Sequence, residues 1–81
     1  MDRLFQKIEV GVHKEINGKW QPERFLWQDR IYTILEVGRR WQAEDGEHIL
    51  VTVLGGQVYE LLLANDQISW YVKPPVSARM A

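Results

Sequence analysis

The sequence predicts an all-β protein, a small antiparallel meander of five or six strands forming a barrel or roll. Three observations carry that expectation. Apolar residues alternate with period two in one stretch after another. Turn-forming clusters recur at intervals of about 8 to 12 residues, the spacing of a small sandwich or barrel. The stretch from Pro22 to Trp41 holds the longest strand-like run, and its second arm is apolar on both faces, which places it inside a sheet rather than at an edge facing water.

In chain order, Leu4 and Phe5 behind Asp2 suit a short helical turn. Ile8, Val10 and Val12 then alternate with Lys7, Glu9 and Gly11, giving a strand over residues 7–14. Asn17-Gly18 is a hairpin signal, because both residue types accept the positive φ that a type I′ turn demands. Pro22 has no amide hydrogen, so the return strand from Lys19 should break or bulge there before resuming at Arg24. Phe25 and Trp27 alternate around Leu26, Gln28-Asp29 reverses the chain, and the next arm sets Ile31, Thr33, Leu35 and Val37 against Tyr32 and Ile34. Gly38 marks a kink or bulge, after which Arg39, Arg40 and Trp41 lead to a turn at Glu44-Asp45-Gly46.

Residues 47–54 form a strand with Ile49, Val51 and Val53 opposite His48, Leu50, Thr52 and Leu54. Gly55-Gly56 turns it. In residues 57–64, Val58, Glu60 and Leu62 oppose Tyr59, Leu61 and Leu63; helical spacing also fits, and the Gly-Gly turn favours strand. Asn65-Asp66-Gln67 turns again, and residues 68–73 alternate Ile68, Trp70 and Val72 with Ser69 and Tyr71 before Pro74-Pro75 stops them. Residues 74–81 read as a loose tail. The expected core is Tyr32, Ile34, Leu35, Ile49, Val51 and Leu61.

Length allows one domain over residues 1–81, with a thin margin of stability. Without cysteine there are no disulfides and no thiolate ligands, so packing or oligomerisation must supply the core, and a reducing cytoplasm suits the chain. No apolar run reaches the roughly 18 residues of a membrane span, and the start lacks a signal-peptide core. The net charge of −1 divides unevenly: residues 1–40 carry eight Lys or Arg against six acids, residues 41–81 two against five. That bias falls short of the clustered basic surface that marks nucleic-acid binding.

The pattern P-x-x-F-x-W-x-x-R-x-Y-x-I, carried by Pro22, Phe25, Trp27, Arg30, Tyr32 and Ile34, resembles a family of short bacterial proteins of unknown function. Arg40-Trp41, Tyr59-Glu60-Leu61 and Trp70 extend the match over residues 22–73. The resemblance implies a small β domain and an association with relatives of translesion DNA polymerases, hence an accessory role in DNA repair. It brings no catalytic residues.

Enzymatic machinery is not expected. Ser69, Ser77, Thr33, Thr52, two histidines and scattered carboxylates show no motif spacing, and Gly55-Gly56 lacks the Lys-Ser/Thr of a phosphate loop. His48, between Asp45 and Glu47 on one side and the strand on the other, reads as a solvated turn histidine rather than a metal ligand, as does His13 at the end of the first strand. No metal or cofactor is expected. The tryptophans carry more information. Trp27 and Trp70 suit a core by their alternating neighbours, whereas Trp20 and Trp41 suit core and surface equally. With Arg24, Arg30, Arg39, Arg40 and Tyr71, the residues Trp20, Trp41 and Trp70 make up the candidate binding surface. The expectation is a non-enzymatic module that binds a protein partner, with single-stranded nucleic acid as the alternative. Residues 68–73 are expected to form an exposed edge on which a homodimer pairs, unless residues 7–14 cover it.

Overall fold

In a computed structural model, which describes residues 3–74, six antiparallel strands follow one another around a closed barrel: β1 (Gln6–Lys14), β2 (Trp20–Trp27), β3 (Arg30–Ala43), β4 (Gly46–Val53), β5 (Val58–Ala64) and β6 (Trp70–Lys73). The tail expected over residues 74–81 lies, beyond Pro74, outside the described residues. The meander follows from the turns, each of which joins neighbouring strands.

Their chemistry differs in detail from expectation. At the first hairpin only Gly18 takes positive φ; the Glu15 carbonyl accepts its amide at 2.9 Å and Lys19 pairs back to Glu15. The result is a type I turn followed by a left-handed glycine rather than a type I′ turn. At Gly55-Gly56 the turn likewise starts one residue early, with the Val53 carbonyl accepting from Gly56, so Leu54 leaves the strand. Gln28 and Asp29 do form the tight two-residue turn, both at positive φ (52° and 62°), although neither is glycine. Asp66 accepts the amides of Ile68 and Ser69 and the Ser69 hydroxyl, so Ile68 belongs to this capped turn and not to β6.

Closure depends on two strands that each serve two sheets. The first part of β1 pairs with β6 (Gln6↔Val72, Ile8↔Trp70), and its remainder pairs with β2. The edge expected on the last strand is therefore covered by the first, which was the stated alternative. Strand β3 pairs with β2 only over Arg30–Thr33, then with β4 from Ile34 onward. Bulges allow the bending. One falls at Glu23, just past Pro22, since Val12 pairs with Pro22 while Gly11 pairs with Arg24. Two more fall in β3, at Leu35 and around Gly38-Arg39.

Inside lie Ile8, Phe25, Ile49, Val51, Val53, Tyr59, Leu61 and Val72, with Val10, Trp27, Tyr32, Ile34, Val37 and Trp70 packed against them. Phe25 stacks on Tyr32 with centroids 4.9 Å apart, and Trp27 and Tyr59 complete an aromatic floor at the end that carries the Gln28-Asp29 turn. The opposite end is closed by a polar plug. Arg40 donates from Nε and Nη2 to Glu47 at 3.0 and 3.1 Å and from Nη1 to Gln21 at 2.8 Å. Leu35 is a correction: it was expected in the core and is 60% exposed. Tyr32 and Ile34 take the inward positions, so Leu35 falls outside by simple alternation, and the bulge at Leu35 then brings Val37 inward in place of Glu36.

Candidate interaction surface

The β2–β3 side of the barrel exposes an apolar face. Leu26 and Ile31 are cross-strand partners whose neighbours Phe25 and Tyr32 point inward, so both must point out. Ile31 is 69% exposed. Leu35, two residues beyond Thr33, continues the same outer face, and Leu54, 71% exposed, sits beside them because its amide donates to the Thr33 carbonyl at 2.9 Å. Arg24, opposite Thr33, flanks the patch on the same outer face. A shallow groove of about 250 Å³ runs next to it, lined by Glu9, Val10, Gly11, Arg24, Phe25, Leu26 and Ile31. Gly11 keeps that groove open for Arg24, since a Cβ there would sit 3.2 Å from the guanidinium carbon.

A second cluster occupies the outer face of β3, β4 and β5. His48 was expected in a solvated turn. It is instead only 7% exposed, with Nδ1 2.7 Å from Glu60 and Nε2 2.8 Å from Asp45. Trp41 stacks on its ring at 5.2 Å, Phe5 packs edge-on against it at 5.6 Å, and Arg39 lies 5.3 Å over Trp41. Burial disfavours charge on His48, yet its hydrogen bonds to the two carboxylates outweigh burial and raise its pKa above the ordinary value. The same hydrogen bond holds the Asp45 carboxyl below its usual range. Two ring nitrogens each facing an acceptor-only carboxylate call for an N–H on both, which is the imidazolium. The three groups thus satisfy one another. Among the described residues no group of three or more His, Asp or Glu side chains could hold a metal ion. The sequence clue to this cluster was Glu60, which lies opposite Leu50 in the β4–β5 ladder, on the same outer face as His48.

The sequence-predicted surface residues are dispersed by the fold. Arg24 borders the apolar patch, Arg30 pairs with Trp27 at the end of the barrel that carries the Gln28-Asp29 turn, and Arg39 and Trp41 belong to the His48 cluster. Trp20 stands on the β1–β2 hairpin under Lys14, whose ammonium is 5.6 Å from its ring. Tyr71 faces outward on β6 beside Leu62 and Lys7. Two members of that set take inward positions of their strands: Arg40 is half-buried in the plug, and Trp70 packs against the core, as its alternating neighbours led one to expect. Sequence reading missed Leu26, Ile31, Leu35 and Leu54, since apolar residues in strands read as core.

A larger opening of about 480 Å³ lies over the polar plug, between the β1–β2 hairpin and the β5–β6 turn. Its inner wall is the Arg40–Glu47 pair, whose charges cancel locally. Comparison of the chain with protein-family models, with curated proteins and with solved structures finds no match, so these surfaces are interpreted from their own chemistry.

Proposed function

We propose that the protein is a non-enzymatic interaction module that docks a protein partner on the outer face of β2 and β3. The observation that carries this reading is the row Leu26, Ile31, Leu35 and Leu54, exposed together on paired strands and an adjoining tight turn. Covering an exposed Leu or Ile is worth about 1.5–3 kcal/mol, and a preformed β surface spends little ordering entropy on binding. Arginine at the margin adds hydrogen-bond donors that suit a partner's carboxylates or carbonyls.

Stacking of single-stranded nucleic acid is less well supported. Trp27 and Trp70 face the interior, Trp41 is stacked on His48, and Trp20 stands apart on its hairpin. A stacking platform needs several open rings along one basic groove.

The test compares the native chain with Ile31→Asp and Leu54→Asp as baits. Relatives of translesion DNA polymerases are the first partner class to try, from the resemblance above. Both variants should melt like the native chain, because the side chains are already in water, yet lose the partner. Retention of the partner by both variants overturns the reading. A dye-labelled single-stranded oligonucleotide that binds the native chain with steep salt dependence would favour the nucleic-acid alternative instead.

A further inference from the structure

We infer that the seam between the upper halves of β2 and β3 accepts an extended basic peptide, added as a strand along the free edge of β3. This rests on the reading of the protein as a protein-binding module and assigns that partner a chemistry. The β2–β3 ladder ends at Arg24↔Thr33, although β2 runs back to Trp20 and β3 runs on to Ala43. Beyond Thr33, β3 pairs with β4 on one side only, from Ile34 to Ala43. Alternate amides and carbonyls of that segment face β2 without a ladder partner, and a strand edge of this kind is a template for another chain.

Two features explain why the seam opens here. Pro22 lacks an amide hydrogen and the bulge at Glu23 turns β2 away, so β2 cannot continue the ladder. The gap is then spanned by side chains, with Arg40 reaching Gln21 at 2.8 Å. Between that bridge and the last ladder pair lies a cavity of about 250 Å³ whose lining includes His13, Glu15, Glu23, Leu35 and Glu36.

The lining defines the occupant. It holds three carboxylates, one histidine and no lysine or arginine. Glu15 and Glu23 face His13, and Glu23 lies 3.6 Å from Arg24 across a solvent-exposed pair, while no charged partner is seen for Glu36 among the described residues. A Lys or Arg side chain of the incoming strand would enter among these acids, and its apolar neighbour would meet Leu35, which also belongs to the apolar face. Main-chain hydrogen bonds supply affinity in such strand addition and the pockets supply the choice of sequence.

The test uses three synthetic probes with the full chain: an alternating Lys-Val octapeptide, its Glu-Val counterpart, and the Lys-Val peptide N-methylated at alternate residues. Amide hydrogen exchange and titration calorimetry are the readouts. The Lys-Val peptide should bind and slow exchange of seam-facing amides between Ile34 and Arg40, the other two should not, and Glu23→Lys/Glu36→Lys should weaken binding by roughly tenfold. Ile68→Asp, on the β5–β6 turn and outside both the seam and the apolar face, should leave peptide binding unchanged. Equal binding of the N-methylated peptide, or binding without protection of β3 amides, reduces the effect to surface charge and overturns strand addition. No binding of the Lys-Val peptide also overturns it, and leaves the broader reading standing if Ile31→Asp and Leu54→Asp still abolish partner capture.

Discussion

At the scale of single residues, Gly46 and His48 show how one side chain depends on its neighbours. Gly46 opens β4 at φ 143°, and a Cβ there would overlap the Leu63 carbonyl oxygen and sit 2.9 Å from the Ala64 Cα. Gly18 also has positive φ, but nothing lies within 4 Å of the space its Cβ would fill. Gly46→Ala should therefore cost about 3 kcal/mol or more, and Gly18→Ala about 1 kcal/mol, in urea melts. Equal costs would mean that backbone conformation alone, and not the β4–β5 approach, restricts Gly46. His48 carries a pH dependence. Its raised pKa makes its contribution complete below the unfolded value of 6.5, fading as pH rises through the folded value. The lowered pKa of Asp45 makes its contribution complete above 3.8, fading as pH falls through its folded value. The cluster should therefore stabilise most between about pH 4 and 6.5. The stability gap between native and His48→Gln proteins, measured at pH 5.5 and 8.5, should shrink at the higher pH; a constant gap would show that the ring acts only by packing.

At the scale of elements, β5 has two buried faces. Leu61 lies in the barrel interior, whereas Leu62 points outward and is nonetheless 0% exposed. It sits between His48 and Tyr71 in the ladder, on the face where Phe5, held by the His48 edge and by Lys73 5.9 Å from its ring, returns over the sheet. A small outer core thus ties the segment before β1 to β4 and β5. Truncating Leu61 or Leu62 to Ala should cost roughly 2–5 kcal/mol each, as a buried leucine does, while Leu35→Ala should cost within about 0.5 kcal/mol. Chemical denaturation of the three variants checks this. A Leu62→Ala protein as stable as Leu35→Ala would show that the outer cluster does not contribute to folding.

At the scale of the whole molecule, closure rests on a short seam. Three residue pairs, Gln6↔Val72, Lys7↔Tyr71 and Ile8↔Trp70, join β1 to β6. Pairing β1 with β6 covers the edges that the two strands would otherwise offer to another chain. Deleting residues 1–8 should uncover β6 with Tyr71 and Trp70, and light scattering across a tenfold dilution should then show self-association absent when the edge is covered. Tyr71→Lys in the full chain should leave the oligomeric state unchanged, since that edge is already paired. A shift in the full chain would assign Tyr71 to an outer-face contact instead.

The sequence by itself determined the all-β class, the positions of all six strands to within two residues, the bulges near Pro22 and Gly38, and the inward course of Ile49, Val51 and Leu61. These are legible because period-two patterning and turn residues are local, and the missing amide of Pro22 acts wherever the strand lies. Only the tertiary structure decided that Leu35 faces water, because this arm is apolar on both faces and no local pattern says which face, that of Tyr32 and Ile34 or that of Ile31 and Leu35, meets the core. His48 was misplaced for a related reason: its partners are three and twelve residues away, and burial depends on Trp41 and Phe5 arriving from other parts of the chain. The apolar face and the open seam are likewise invisible to a local pattern. Each exists where paired strands part or leave a face uncovered, and that is set by how the sheet closes around a core too small to bury both sides of every strand.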